Sequence, residues 1–230
     1  MALHRTPEPE LMDGADQVEA YAAADFASSD QAMVERLALL CADQPGSRLV
    51  DLGCGPGNIS FRLARRWPQA QVLGLDGAPR MLAVAEQRLA AAPELAGRLH
   101  FAEIVLPLPE PASLPGRVST GAYSAVISNS LLHHLHDPLV LWQAVAALAT
   151  PAAFVYVQDL RRPDSVAAVE ELVAATMASA PAVLRRDYRA SLHAAFTPAE
   201  VTAQLAQAGL SGLRVEALGA CYLEVWGRLP

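Results

Sequence analysis

The chain has 230 residues, 53% of them hydrophobic, with a net charge of −7 and a sequence pI near 5.3. That length suits one α/β domain with a cap, and the acidic balance argues against a broad nucleic-acid surface, which needs a basic face. All 17 basic residues are arginine, so lysine Schiff-base chemistry is excluded, and Cys41, Cys54 and Cys221 are too scattered for a disulfide framework or metal cluster. No leader or membrane span is expected, which points to a soluble cytoplasmic protein, monomeric or homodimeric.

In chain order, Met1 to Glu10 is rich in proline without periodicity and reads as mobile. Val18, Tyr21 and Ala22 fall at helical spacing, followed by Phe26. Ser28-Ser29-Asp30 offers caps for a second helix, whose apolar stripe is Met33, Val34, Leu37 and Leu40. Leu49, Val50 and Leu52 read as a buried strand ending near Asp51. A turn through Gly53, Gly55 and Gly57 follows, then a helix from Asn58 to Trp67, stopped by Pro68. Close amide donors at such a helix start suit an anionic ligand group. Val72 to Leu75 is the next strand, ending at Asp76, and Gly77-Ala78-Pro79 opens a helix carrying Met81, Leu82, Ala85 and Leu89.

Leu99 to Leu106 reads as a third strand with its exit, and Pro107 to Gly116 as a loop. Tyr123 to Ser128 is the fourth strand, running into Asn129 and a histidine-rich segment, and Leu139 to Ala149 is a helix. Ala153 to Val157 is the fifth strand, ending Gln158-Asp159. Arg161 to Ala195 is an insertion, helical over Val166 to Ala178, with a charged, partly aromatic stretch at Arg185 to Arg189. Thr197, Pro198 and Glu200 spell a helix start, the helix ends at Gly209, and Leu213 to Ala217 with Cys221 to Trp226 form a closing hairpin. Strands alternating with helices argue for a mostly parallel sheet covered on both faces.

The acid before the glycines, the spacing Gly53-Cys54-Gly55-Pro56-Gly57 and the strand ending in Asp76 resemble class I S-adenosylmethionine (SAM) methyltransferases more than the G-x-G-x-x-G dinucleotide pattern. The resemblance covers most of the chain. It implies a single Rossmann-like domain over residues 1–230. That domain has a seven-stranded, mostly parallel sheet with a C-terminal antiparallel hairpin. An N-terminal helical lid is implied at 11–40, and a substrate cap at 160–195.

For the cofactor, SAM with S-adenosylhomocysteine as product, it implies contacts from Asp51, Gly53, Cys54, Gly55, Asn58, Asp76, Gly77, Met81, Ser128 and Asn129. Asp51 would place the amino acid end and Asp76 the ribose hydroxyls. The acid usual after strand three is missing, because Ile104-Val105 stands there, and Glu103 is the nearest candidate.

Methyl transfer needs alignment and exclusion of water more than a fixed triad. Histidine titrates near neutrality, so His134 or His133 is a candidate base. Asp159 is a candidate to bind the acceptor or to hold a histidine. Tyr21, Asp25 and Phe26 are candidates to line the acceptor site from above. Arg185, Arg186 and Tyr188 are candidates to bind a carboxylate or phosphate. No metal is expected. The leading expectation is methylation of a small molecule. The alternatives are a tRNA or protein methyltransferase, a noncatalytic SAM-binding protein and an NAD-dependent oxidoreductase.

Overall fold

The computed structural model describes residues 3–230; Met1 and Ala2 lie outside the described residues. Seven strands form one sheet in the order β3-β2-β1-β4-β5-β7-β6. They are β1 (Arg48–Leu52), β2 (Gln71–Asp76), β3 (Leu99–Glu103), β4 (Tyr123–Asn129), β5 (Ala149–Leu160), β6 (Arg214–Leu218) and β7 (Tyr222–Arg228). β1 to β5 run parallel, and β7 pairs antiparallel with both β5 and β6. This is the expected sheet with its closing hairpin.

Strand alternation sorts the core into two layers. Leu49, Ala125, Ile127, Phe154 and Tyr156 pack on one face with α2 (Ala27–Leu40) and α3 (Asn58–Arg66). Val50, Leu52, Val126, Val155 and Val157 pack on the other with α5 (Leu139–Leu148) and α8 (Pro198–Gln207). Burial on both faces explains why these strands are continuously apolar. The α8 start carries the full capping box: Thr197 accepts from Glu200 N at 3.3 Å, and Thr197 N donates to Glu200 Oε2 at 2.7 Å.

Three expectations need correction. First, residues 3–10 are strapped down. Leu3 N donates to Asp164 O and Thr6 N to His193 O. The Arg5 guanidinium donates to Ala194 O, His133 O and Leu135 O and lies 4.0 Å from the Phe196 ring centre. A guanidinium with three carbonyl partners outweighs the proline-rich composition. Second, the helical part of the insertion does not end at Ala178: after α6 (Val166–Thr176) the charged stretch Arg185 to Arg189 belongs to a further helix, α7 (Ala182–Ala194). Third, α2 is a core helix, with Met33 and Leu37 buried, and it is α1 (Ala15–Ala23) that packs against α7. The α2 start is bonded by Asp25, whose Oδ1 accepts from Ala27 N at 2.9 Å, while Ser28 to Asp30 already lie inside the first turn.

Candidate functional site

The strand order turns back between β1 and β4, and a doubly wound sheet opens its crevice at the carboxyl ends beside such a point. A cavity of about 290 Å³ lies there, lined by the β1 and β2 tips, the glycine turn, the segment after β4, α1 and α7. Of the residues expected at the site, Asp51, Gly53, Cys54, Gly55, Asn58, Asp76, Gly77, Met81, Asn129, Tyr21, Phe26, Tyr188, His133 and His134 line it.

The turn is shaped by its glycines. Gly53 sits at φ 69°, and a Cβ there would come within 2.8 Å of the Leu131 side chain. The amides of the turn are already engaged. Gly53 N and Cys54 N both donate to Leu75 O, at 2.8 and 3.0 Å, and Gly57 N donates to Cys54 O at 2.9 Å. Gly55 N donates to Asp76 Oδ2 at 2.7 Å. These four amides are engaged by Leu75, Cys54 and Asp76, while those of Asn58 and Ile59, at the α3 start behind the Gly57 cap, have no backbone partner among the described residues.

Two carboxylates face the cavity from the strand tips. Asp51 is fully buried; its Oδ2 accepts from Ser60 Oγ at 2.6 Å, and its Oδ1 has no partner. Burial pushes its pKa up to about 7, against the opposing Ser60 hydrogen bond. Asp76 receives one backbone N–H on each oxygen, from Gly55 at 2.7 Å and Ala78 at 2.8 Å. Burial raises its pKa too, with those amides opposing. A carboxylate has about four acceptor positions, so the two amides orient Asp76 and leave room for ligand hydroxyls. Arg88 ties the surroundings together, donating to Pro56 O, the Asn58 Oδ1 and Ala22 O at 2.8–3.0 Å.

At the other end, a short 3-10 turn, Leu132–His134, presents two histidines. Asp159 is buried under it. Its Oδ2 accepts from Leu132 N at 2.7 Å; its Oδ1 accepts from Leu160 N at 2.7 Å and lies 2.5 Å from His133 Nδ1. Asp159 does not line the cavity; of its two expected roles, the geometry is that of holding a histidine. Glu8, from the N-terminal strap, faces the same pair. Its Oε1 lies 3.5 Å from His133 Nε2, 3.2 Å from His134 Nδ1 and accepts from Ser191 Oγ at 2.9 Å.

Burial disfavours charge on His133, but attraction to Asp159 and Glu8 outweighs it and raises the pKa. Burial, then repulsion from His133, drives His134 well below the usual range. The ligand-capable atoms of Glu8, His133 and His134 lie within 4.8 Å of one another; Ser191 and the acid–imidazole contacts account for that convergence.

Besides Asp159, four more of the expected residues lie off the cavity wall. Ser128 is buried beneath the floor, its hydroxyl donated to Leu52 O at 2.9 Å. Asp25 is exposed at the α2 start. Arg185 is exposed and donates to Ala180 O, and Arg186 is exposed and pairs with Asp187 at 2.7 Å. The face of α7 that meets the cavity is Leu184, Asp187, Tyr188 and Ser191. Those positions are spaced i, i+3, i+4, i+7, the signature of one helical face; the spacing was in the sequence, and the run of charge hid it. Glu8, Leu11, Met12 and Tyr222 carried no local signal, because their position depends on contacts far along the chain.

The sheet order, the glycine turn and the paired acids are those of the class I SAM-dependent methyltransferase fold, and this chain has that fold. Residues 50–155 match the model of a methyltransferase domain. Over 94% of its length the chain superposes on a plantazolicin methyltransferase solved with S-adenosylhomocysteine, covering 91% of it, with a TM-score of 0.68 and 12% identity. It covers 98% of, and is covered 98% by, a SAM-dependent methyltransferase structure from Methanococcus maripaludis, with a TM-score of 0.67 and 11% identity. Its sequence is 47% identical over 70 residues to a trans-aconitate 2-methyltransferase of Streptomyces coelicolor, a stretch spanning 30% of this chain and 22% of that protein. Such stretches span 16% to 44% of the curated relatives. Among the described residues no helix is long and apolar enough to cross a membrane.

Proposed function

We propose that this protein transfers a methyl group from SAM to a small-molecule acceptor. The observation that carries the reading is Asp51 Oδ1, a buried acid oxygen without a partner in the wall of the cavity. An unpaired buried acceptor is costly, and the ammonium of the SAM methionine moiety would satisfy it. Asp76, held by two amides, would take the ribose hydroxyls.

When bound, SAM supplies an electrophilic methyl on a sulfonium. The residues around it align the acceptor and keep water out. Tyr21, Phe26 and Met12 cover the cavity from the N-terminal side, and Leu184 and Tyr188 from α7. The acceptor lone pair forms the new bond as the carbon–sulfur bond breaks, and any proton leaves the acceptor afterwards. His134, kept neutral by burial, is the candidate to take it. His133, engaged on both nitrogens, orients the turn. A cytoplasmic location fits the three free cysteines.

Calorimetric titration tests the reading. S-adenosylhomocysteine should bind, and NADH should not. Binding of NADH without S-adenosylhomocysteine would overturn it. His134→Asn should lower kcat while leaving S-adenosylhomocysteine affinity in place; an unchanged kcat and pH profile would remove His134 from proton transfer.

A further inference from the structure

The curated relatives named above are trans-aconitate methyltransferases, and trans-aconitate is a polyanion. The cavity of this chain has the opposite electrostatic character. Resting on the methyltransferase reading, we propose that its acceptor is a flat, largely apolar molecule bearing no anionic group, either uncharged or cationic, and that polycarboxylates are excluded.

Three observations carry this. Among the described residues, the formally charged side chains in the cavity wall are all carboxylates: Glu10, Asp30, Asp51, Asp76 and Asp187. The two histidines add no free cation. His134 is held neutral, and His133 lies between Asp159 and Glu8, so its charge is already matched. The arginines nearest in sequence to the acceptor wall, Arg185 and Arg186, sit on the outer side of α7 and do not line the cavity.

Anion recognition in proteins rests on guanidinium forks, ammonium groups or aligned amides. The first two are missing from the wall, four amides of the glycine turn are closed on Leu75 O, Cys54 O and Asp76, and the open amides of Asn58 and Ile59 belong to the end proposed for the cofactor. Moving a carboxylate from water into this setting would remove its hydration and return repulsion. Beside the polar Asn129, Ser130, Gln158 and Ser191, the wall carries aromatic and apolar side chains: Phe26, Leu135, Leu184, Tyr188 and Tyr222. Such a surface favours a ring, with offset or edge contacts to the aromatic side chains. It also favours a cationic ring substituent, through the ring faces and through Asp187.

Asp187 is the group on this wall most suited to sense charge. Its Oδ2 accepts from Gln17 Nε2 at 3.0 Å and its Oδ1 meets Arg186, so it is fixed in place between α1 and α7 with lone pairs remaining. It lies on the same helical face as Tyr188 and Leu184. That places a carboxylate beside the apolar wall, its Oδ1 paired with Arg186 and its Oδ2, among the described residues, free of any cation.

The test uses the full chain saturated with S-adenosylhomocysteine and one ring carried in three charge states. Tryptamine is the cation, tryptophol the neutral form and indole-3-propionate the anion, with trans-aconitate as a fourth ligand. Calorimetry should give tryptamine and tryptophol affinities at least tenfold above indole-3-propionate, and no heat from trans-aconitate. Asp187→Asn should shrink the advantage of tryptamine over tryptophol by about threefold or more and leave tryptophol unchanged. Equal or tighter binding of indole-3-propionate, saturable binding of trans-aconitate, or failure of all three indoles to bind would each overturn the proposal. Binding of S-adenosylhomocysteine is measured first, so failure of the methyltransferase reading shows separately as loss of that step.

Discussion

The two ends of the cavity are built in different ways. The end proposed to take the cofactor is made by residues that the sheet brings together: Asp51 and Asp76 sit on neighbouring strands, and Gly55 bonds to Asp76 across one loop. The acceptor end is made by pieces far apart in the chain. Glu8 meets Ser191, Arg5 meets the carbonyls of His133 and Leu135, and Asp159 holds the turn that carries His133. One end follows from the fold, so any chain with this sheet and turn can keep it. The other is held by charge and hydrogen bonding between segments, so it can be rebuilt for a new acceptor without touching the first.

Substitutions can break this division. The largest effect is expected from Asp159→Ala, which leaves two buried amides and the His133 imidazole without their acceptor. Breaking a buried pair on one side typically costs about 3–5 kcal/mol. Urea unfolding should show a loss of that order, while the protein that remains folded keeps its S-adenosylhomocysteine affinity. If affinity falls as far as stability, the two ends are not independent.

The converse test is Asp76→Asn or Asp51→Asn. Each should weaken S-adenosylhomocysteine binding by about 1.5–3 kcal/mol, the usual worth of a charge-assisted hydrogen bond. Unchanged affinity by titration would remove the residue from the cofactor site.

A pH series sharpens the same point. The folded pKa of Asp51, about 7, lies above its unfolded value of 3.8. Its contribution to stability is therefore complete below pH 3.8 and is lost as pH rises through about 7. A ligand ammonium favours the ionised acid. Affinity for S-adenosylhomocysteine should then climb from pH 6 to 8, and calorimetry in two buffers of different ionisation enthalpy should show proton release below pH 7. Asp51→Asn should flatten both. The smallest effect is expected from Arg185→Gln, an exposed position off the cavity, where stability and acceptor affinity should stay within about 0.5 kcal/mol of the parent.

The same division separates what could be read from the sequence. The sheet and its hairpin were legible because continuously apolar strands between glycine and proline stops carry a strong local signal. Asp51, Asp76 and the glycines lie in one short motif, so their convergence could be expected. Ser128 follows the same strand but turns its hydroxyl to the Leu52 carbonyl; one step of alternation decides that, and the motif does not encode it. On α7 the consecutive charges Arg185 and Arg186 drew the eye, yet a helix turns about 100° per residue and carries them away from Leu184 and Tyr188. Glu8 could not be found at all. Nothing near it in the chain shows that Arg5 pins its segment across α7.

That pinning has a consequence for order in time. The strap's bonds reach Asp164, His193 and Ala194 of the insertion and the turn after β4, so its docking waits for the insertion to settle. Amide exchange should register residues 3–8 and the end of α7 as one cooperative patch, opening together while the glycine turn stays shut.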